Sequence, residues 1–436
     1  MQVDSSKPQA AKKMSSFTAI PVIIASTLGT GITSMPLVVK SIGITYTIIF
    51  MAVIGLVTFH SIYALSYTSV MVQKEDVSYT SLAGYFSKAL EKIVVVFMTF
   101  ACLSTTFIFI QRLLSIIIYL VKQNDFMKFL LEDNPSANFS LRVGILFLLC
   151  MAYFFLFRLE DLASLTFFSH LSLASAVIFS LAMGFYGIKS PSADIGTSGE
   201  RNFSLAFGSS IFALHCQSTF TGILSSIEDK SLPNLRFVTF FASMLAALLY
   251  GAVGCFGYWG LGDSMGLDSV LKLFIKDASP VLESLELRFG YLGGVLLPKI
   301  ICSLFSLIFF SGIVFNMFPV IPIVQNMFSK TSDPLNAAAK PRKISRKAVS
   351  LIGCLFVFLS GFYQIGAIDQ ILAVVGSVVI TPLSFIFPSL FIILSTKKFN
   401  LMKFIAITVA FVSSCAMVVL FYLEVMSLVE SMNKSS

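Results

Sequence analysis

Charge is scarce in this 436-residue chain: only 12% of residues are Asp, Glu, Lys or Arg. An ordinary soluble domain carries about a quarter. Tryptophan occurs once against 45 phenylalanines, a skew that reads as base-composition bias rather than function. The seven cysteines, Cys102, Cys150, Cys216, Cys255, Cys302, Cys354 and Cys415, lack paired metal or disulfide spacing, and all fall in apolar runs. They read as small buried hydrophobes, and no metal site is expected. No nucleophile, base and orienter stand at a recognisable spacing, so an enzyme with a cofactor is not expected. No charge ring suited to a channel pore is evident.

What is abundant is apolar length. The chain is 56% hydrophobic, with a mean hydropathy of +0.89, which makes it an all-α, polytopic membrane protein in contact with lipid. Runs long enough to cross a hydrocarbon core of about 30 Å recur near 17–39, 44–70, 93–121, 143–157, 162–188, 203–226, 236–262, 292–321, 348–365, 369–396 and 400–428, eleven in all. The first sixteen residues are polar, with Lys7, Lys12 and Lys13, and the apolar run after them is too long for a cleaved signal peptide. They are expected to form a cytosolic tail.

With that end inside, the cytosolic segments collect most of the Lys and Arg, notably Lys340, Arg342, Lys343, Arg346 and Lys347. The positive-inside rule therefore predicts the carboxyl end outside or lumenal. The formal charge of +8 follows this distribution and does not imply nucleic acid. The acceptor triplets at Asn138, Asn202 and Asn433 all land outside, where glycosylation requires them. Such sites suit the plasma membrane or a vacuolar or lysosomal membrane. The loop 263–291 reads as an amphipathic surface helix or a solvated connector.

One apolar run is interrupted. Ser26-Thr27-Leu28-Gly29-Thr30-Gly31, with Pro36 soon after, makes a poor continuous helix where hydrocarbon tolerates no unsatisfied backbone. A break there predicts a cavity. Freed N–H groups and carbonyls at such a break can form half of a small-molecule site in a transporter. Ser26, Thr27, Gly29, Thr30 and Gly31 are the expected contacts. In the sixth run, His215, Gln217, Ser218, Thr219, Thr221 and Gly222 gather polar groups at mid-membrane depth, where they are expensive unless they face water, a ligand or each other. Gln217, Ser218 and Thr219 are expected to line a side-chain pocket. His215 is either a proton-sensitive coupling group or a neutral, hydrogen-bonded core histidine. The glycines 251, 254, 257 and 260 read as a packing seam. Arg112 is expected to snorkel from the third run to the surface, and Asp369 and Glu228, at run edges, to be solvated.

Gly29-Thr30-Gly31, followed by Met35-Pro36-Leu37 and Lys40-Ser41-Ile42-Gly43, resembles the first-span signature of the amino acid/auxin permease family of the APC superfamily. Its spacing is most like that of the proton-coupled amino acid transporters. Further stretches resemble the family in the same order: Ser209 to Cys216 with Glu228-Asp229, Tyr250-Gly251 through Gly262, Phe318-Pro319-Val320, and Ile371 to Ser377 leading to Phe385 to Leu390. The resemblance implies a LeuT-type fold with five-helix repeats at 17–188 and 203–396, an eleventh helix at 400–428, and tails at 1–16 and 429–436. It also implies secondary active transport of amino acids, neutral ones by this reading, with either protons or sodium. For sodium, span-eight hydroxyls would serve, and Ser306, Ser311 and Asn316 are the polar candidates, with Ser311 displaced by about one position. Ala25 stands where sodium-coupled members often carry asparagine. Both departures favour protons. The alternative from another class is a non-transporting amino acid sensor of the same fold.

Overall fold

The computed structural model describes residues 13–29, 31–72, 78–131, 135–159, 165–189, 202–262, 270–275, 286–287, 290–327, 345–362 and 368–435. A long apolar run in hydrocarbon must satisfy its backbone internally, and among the described residues every regular element is helical. Helices α1 (Ser16–Thr27) and α2 (Gly31–Ile42) make the first span, with their axes 67° apart. Gly43, at a left-handed φ of 86°, turns the chain into α3 (Ile44–Val72). The short α4 (Tyr79–Phe86) opens on a reciprocal Ser78–Ser81 capping box. Then follow α5 (Lys88–Lys122), α6 (Asp125–Leu131), α7 (Pro135–Leu156) and α8 (Thr166–Lys189). The sixth span is split into α9 (Phe203–Ala213) and α10 (Gln217–Ser226).

After α11 (Leu232–Leu261) and α12 (Val270–Ile275), a π-helical turn, Leu292–Leu296, leads into α13 (Leu297–Met317) and α14 (Val320–Met327). Helix α15 (Arg346–Ser360) precedes α16 (Ile368–Val374), which runs through two π-helical turns, Val375–Ile380 and Pro382–Ile386, into α17 (Phe387–Ser395). The described chain ends in α18 (Leu401–Ser435). Among the described residues, eight helical stretches are long and apolar enough to cross a membrane, or nine with α1 and α2 taken as one bent span. The other two expected runs appear as the α9/α10 pair and as α15, whose 15 residues reach only about 22 Å.

Helix α11 is the central strut, packed along α3, α8 and α2. Small residues permit the last contact. A side chain on Gly257 would overlap Pro36, and a Cβ on Gly254 would sit 3.0 Å from Val39. At these two glycines the seam does pack, as expected. A similar approach joins α9 to the first π-helical turn, where Gly208 and Gly376 leave no room for a Cβ on either. Of the loop 263–291, residues 270–275 form α12, which buries Leu271 and Phe274 and packs on α2, α5 and α13; most of the remainder lies outside the described residues. On the opposite face, where α1 begins, Met14 makes a parallel bridge to Ile227. Its N–H donates to the Ser226 carbonyl at 2.7 Å, and its carbonyl accepts from Glu228 N–H at 3.0 Å. Glu228 itself is exposed, as expected of a span edge.

Candidate functional site

The two interrupted spans meet at their breaks. Gly31, the first residue of α2, lies so close to Ala213, the last of α9, that a Cβ would stand 2.7 Å from the Ala213 Cα. Only glycine allows this approach. On the other side of the first break, the Phe109 ring of α5 is wedged between Gly29 and Gly312 of α13, and a side chain on either glycine would overlap it. Thr30 lies outside the described residues. Ser26 and Thr27 are buried and their hydroxyls turn back onto their own helix, to the carbonyls of Ile23 at 2.7 Å and Ile24 at 2.6 Å. The Thr27 carbonyl is taken by the Tyr250 hydroxyl at 2.6 Å. One of the expected free carbonyls is therefore occupied by a side chain on α11.

At the second break, the polar groups satisfy each other in a closed circuit. The Gln217 amide donates to Ser61 Oγ at 3.3 Å, Ser61 donates to the Ser384 carbonyl, and the Ser384 hydroxyl donates to Gln217 Oε1 at 3.2 Å. The Cys216 N–H donates to the same oxygen at 3.0 Å. His215 Nδ1 is 2.8 Å from Ser384 Oγ, and its Nε2 is 3.2 Å from Ser218 Oγ. Because the Ser384 proton goes to Gln217, Nδ1 is assigned as the donor to Ser384 Oγ. Both ring nitrogens are thus engaged by hydroxyl groups. The circuit needs the second π-helical turn, which delivers Ser384 and also offers the Leu383 carbonyl to the Tyr79 hydroxyl at 2.6 Å. Such turns are frequent at functional sites.

A cavity of about 760 Å³ runs from this circuit to the face that holds the start of α1. Its inner wall includes Ser218 and Thr219, and its mouth includes Ser78, Thr80, Glu91 and Pro322. The Thr219 hydroxyl donates to the Cys216 carbonyl at 3.0 Å. Toward the far face the described elements are tied together. Gln111 donates to the Ser360 carbonyl, Arg142 donates to the Gly361 carbonyl at 2.6 Å, and α12 lies across the ends of α2 and α5.

Two sequence expectations fail on that far side. Arg112 does not snorkel and Asp369 is not solvated: they form a buried ion pair at 2.6 Å, with side chains 3% and 8% exposed. Ser34 of α2 adds a hydrogen bond to the same carboxylate oxygen at 2.9 Å. Helix α16 packs on α9 and α5 instead of facing solvent, which sets Asp369 against Arg112.

The coupling candidates on α13 face inward but are already bonded. Ser311 Oγ is 2.5 Å from Ser172 Oγ of α8 and reaches its own helix carbonyls at Leu307 and Ile308. Ser306 and Asn316 turn back to Cys302 and Gly312. The glycosylation candidates Asn202 and Asn138 lie at the starts of α9 and α7, with Asn202 exposed and accepting the Leu205 N–H. Asn433 falls in the last turn of α18. Among the described residues, no group of three His, Cys, Asp or Glu could hold a metal ion. Phe109, Tyr250, Ser61 and Ser384 escaped sequence reasoning. The signal available for Ser61 and Ser384 was a hydroxyl at mid-membrane depth; Phe109 gave none.

A structure search returns a crystal structure of MhsT in complex with L-phenylalanine, at a TM-score of 0.56 and 15% identity, covering 95% of this chain and 99% of that one. At that identity the likeness establishes the fold, which is LeuT-type. No curated protein sequence matches significantly. The family model for transmembrane amino acid transporter proteins matches residues 12–429, nearly the whole length. The chain therefore belongs to the transmembrane amino acid transporter family.

Proposed function

We propose that this member of the family is a proton-coupled symporter of neutral amino acids that works by alternating access around the breaks of the first and sixth spans. The observation that carries the reading is the cavity of about 760 Å³ whose lining includes Ser218 and Thr219 of α10, next to the break of the sixth span. A zwitterion needs an anion site and a cation site a few ångströms apart. Two half-helices meeting end to end offer backbone groups of both kinds without a charged side chain. Ser26, Thr27, Gly29, Thr30 and Gly31 supply the backbone contacts in this reading, and Gln217, Ser218 and Thr219 line the side-chain pocket. The cavity's charged residues, Glu91 and Lys92, are opposite in sign and sit at the mouth, which favours a neutral substrate. Protons are favoured over sodium because the Ser311 hydroxyl is already engaged by Ser172, leaving the helix α13 hydroxyl side poorly prepared for an ion that wants several free oxygens. The amino-terminal face is cytosolic in this reading, and Asn138 and Asn202 carry glycans outside or in a lumen.

The test is uptake of labelled neutral amino acids into proteoliposomes. Accumulation should follow an imposed pH gradient and ignore sodium. Uptake driven by sodium and indifferent to pH would reverse the coupling assignment, and saturable binding with no counterflow would make the protein a sensor.

A further inference from the structure

Two of the cysteines face each other across the seam between α7 and α15, a pairing that their separation of 204 residues hides in the sequence. The Cys150 thiol donates to the Cys354 carbonyl at 3.3 Å, and the Cys354 thiol donates to the Cys150 carbonyl at 3.3 Å. This reciprocity sets each sulfur over the other residue's backbone, so the two side chains project into the same narrow gap. Contacts on either side hold the register. A Cβ on Gly361 would stand 2.3 Å from Leu146, and one on Gly353 would stand 3.1 Å from Phe157. Leu146, Cys150 and Phe157 recur at helical spacing on one face of α7. A disulfide needs facing Cβ atoms on backbones that are already close. Among the described residues, no other cysteine is hydrogen-bonded to a second one.

The surroundings select the oxidant. Cys150 and Cys354 lie about 9–12 Å along their helices from the ends at Leu156 and Arg346. Phe147 and Met151 flank Cys150, Leu351 and Leu355 flank Cys354, and all four are at least half exposed. The seam therefore opens to hydrocarbon rather than to water. We propose that Cys150 and Cys354 are a modification site for apolar hydroperoxides, such as those of oxidised acyl chains, which close the pair into a disulfide joining the fourth and ninth spans. Cys150 is half-buried and Cys354 buried, so the peroxide meets Cys150 first. Its sulfur attacks the outer peroxide oxygen, the O–O bond breaks, the thiol proton passes to the departing alkoxide, and a sulfenic acid and an alcohol result. The Cys354 sulfur then attacks the Cys150 sulfur; the S–S bond forms, and the hydroxyl leaves with the second thiol proton as water. The two thiols lose two electrons and the peroxide gains them. Neither α7 nor α15 contributes to the cavity wall, so the bond acts apart from the proposed transport path. By closing a long loop it restricts the unfolded chain and stabilises the fold.

The probe is cumene hydroperoxide, added to the full-length protein in liposomes of saturated lipid. Free thiols are then blocked with N-ethylmaleimide, and peptides are mapped by mass spectrometry without reduction. Most of the protein should yield a peptide linking Cys150 to Cys354, and its apparent melting temperature should rise by several degrees. Tributylphosphine should reverse both changes. Hydrogen peroxide at the same concentration should form the link more slowly. C354S should show neither the link nor the rise, and C150S replaces it if it does not fold. C415S, which removes an exposed thiol with no cysteine partner, should keep both. Oxidation of Cys150 to a sulfinic acid with no linked peptide, links formed equally among other cysteines, or a link with an unchanged melting temperature would overturn the staple. Hydrogen peroxide acting as fast as the organic peroxide would overturn the route through the membrane.

Discussion

Phe109 sits where three spans meet, and its ring is held by two residues that have no side chain. That makes its neighbours intolerant in a specific way. Gly29→Ala places a methyl group into the ring and should abolish the amino acid-induced rise in melting temperature and transport together. Phe109→Ala should restore part of both in the G29A background, because the overlap is pairwise. An unimproved double variant would show that the glycine serves backbone conformation instead. Tyr250→Phe removes the donor to the Thr27 carbonyl and leaves a buried acceptor unpaired; about 1–3 kcal/mol of stability should be lost, visible in the apparent melting temperature of the purified protein. At this scale the sequence was legible where one residue type has one physical reading, as at Gly31 and Gly257. It was opaque where a partner comes from far along the chain. Ser61 and Ser384 lie 156 and 167 residues from Gln217, and nothing local marks them as its partners. Arg112 and Asp369 were misjudged for the same reason: each was read from its position within its own run, and the partner that buries it lies 257 residues away.

Helices were readable because hydrocarbon imposes them, and the expected runs correspond to helical stretches or split pairs. The break in the first span was readable too, since Gly29, Gly31 and Pro36 each oppose a continuous helix. The wide turns of the tenth span were not, because a π-helical turn inserts a residue without disturbing an apolar pattern that is hydrophobic on all sides. Packing between elements gives its own test. Gly257→Leu would drive a bulky side chain of α11 into Pro36 of α2 and should destabilise the protein by about 1–3 kcal/mol, while the same change at Gly144, which has nothing within 4 Å, should be nearly silent in a thermal melt. Equal effects at the two positions would contradict the packing described for α11.

On the scale of the whole molecule, the cavity lies on the side that holds the start of α1. Ser225 lines it. In the ligand-free protein, Ser225→Cys should react readily with an impermeant thiol reagent from the amino-terminal face, and a transported amino acid should change that rate by at least severalfold. A rate that no amino acid alters would mean the cavity is not on the transport path. The cavity could not be read from the chain, because its lining comes from α4, α5, α10 and α14, which lie far apart in sequence.

The short bridge at Met14 bears on how the two broken spans would move. The segment that enters α1 is tied through two backbone hydrogen bonds to the exit of α10, and the Ser16 hydroxyl adds a bond to Asn234 at 2.7 Å. No residue of α1 forms part of the cavity wall. The two half-helices are thus yoked at their ends, and in engineering terms a tie of this kind would oblige the breaks of the first and sixth spans to flex in step if either half were displaced.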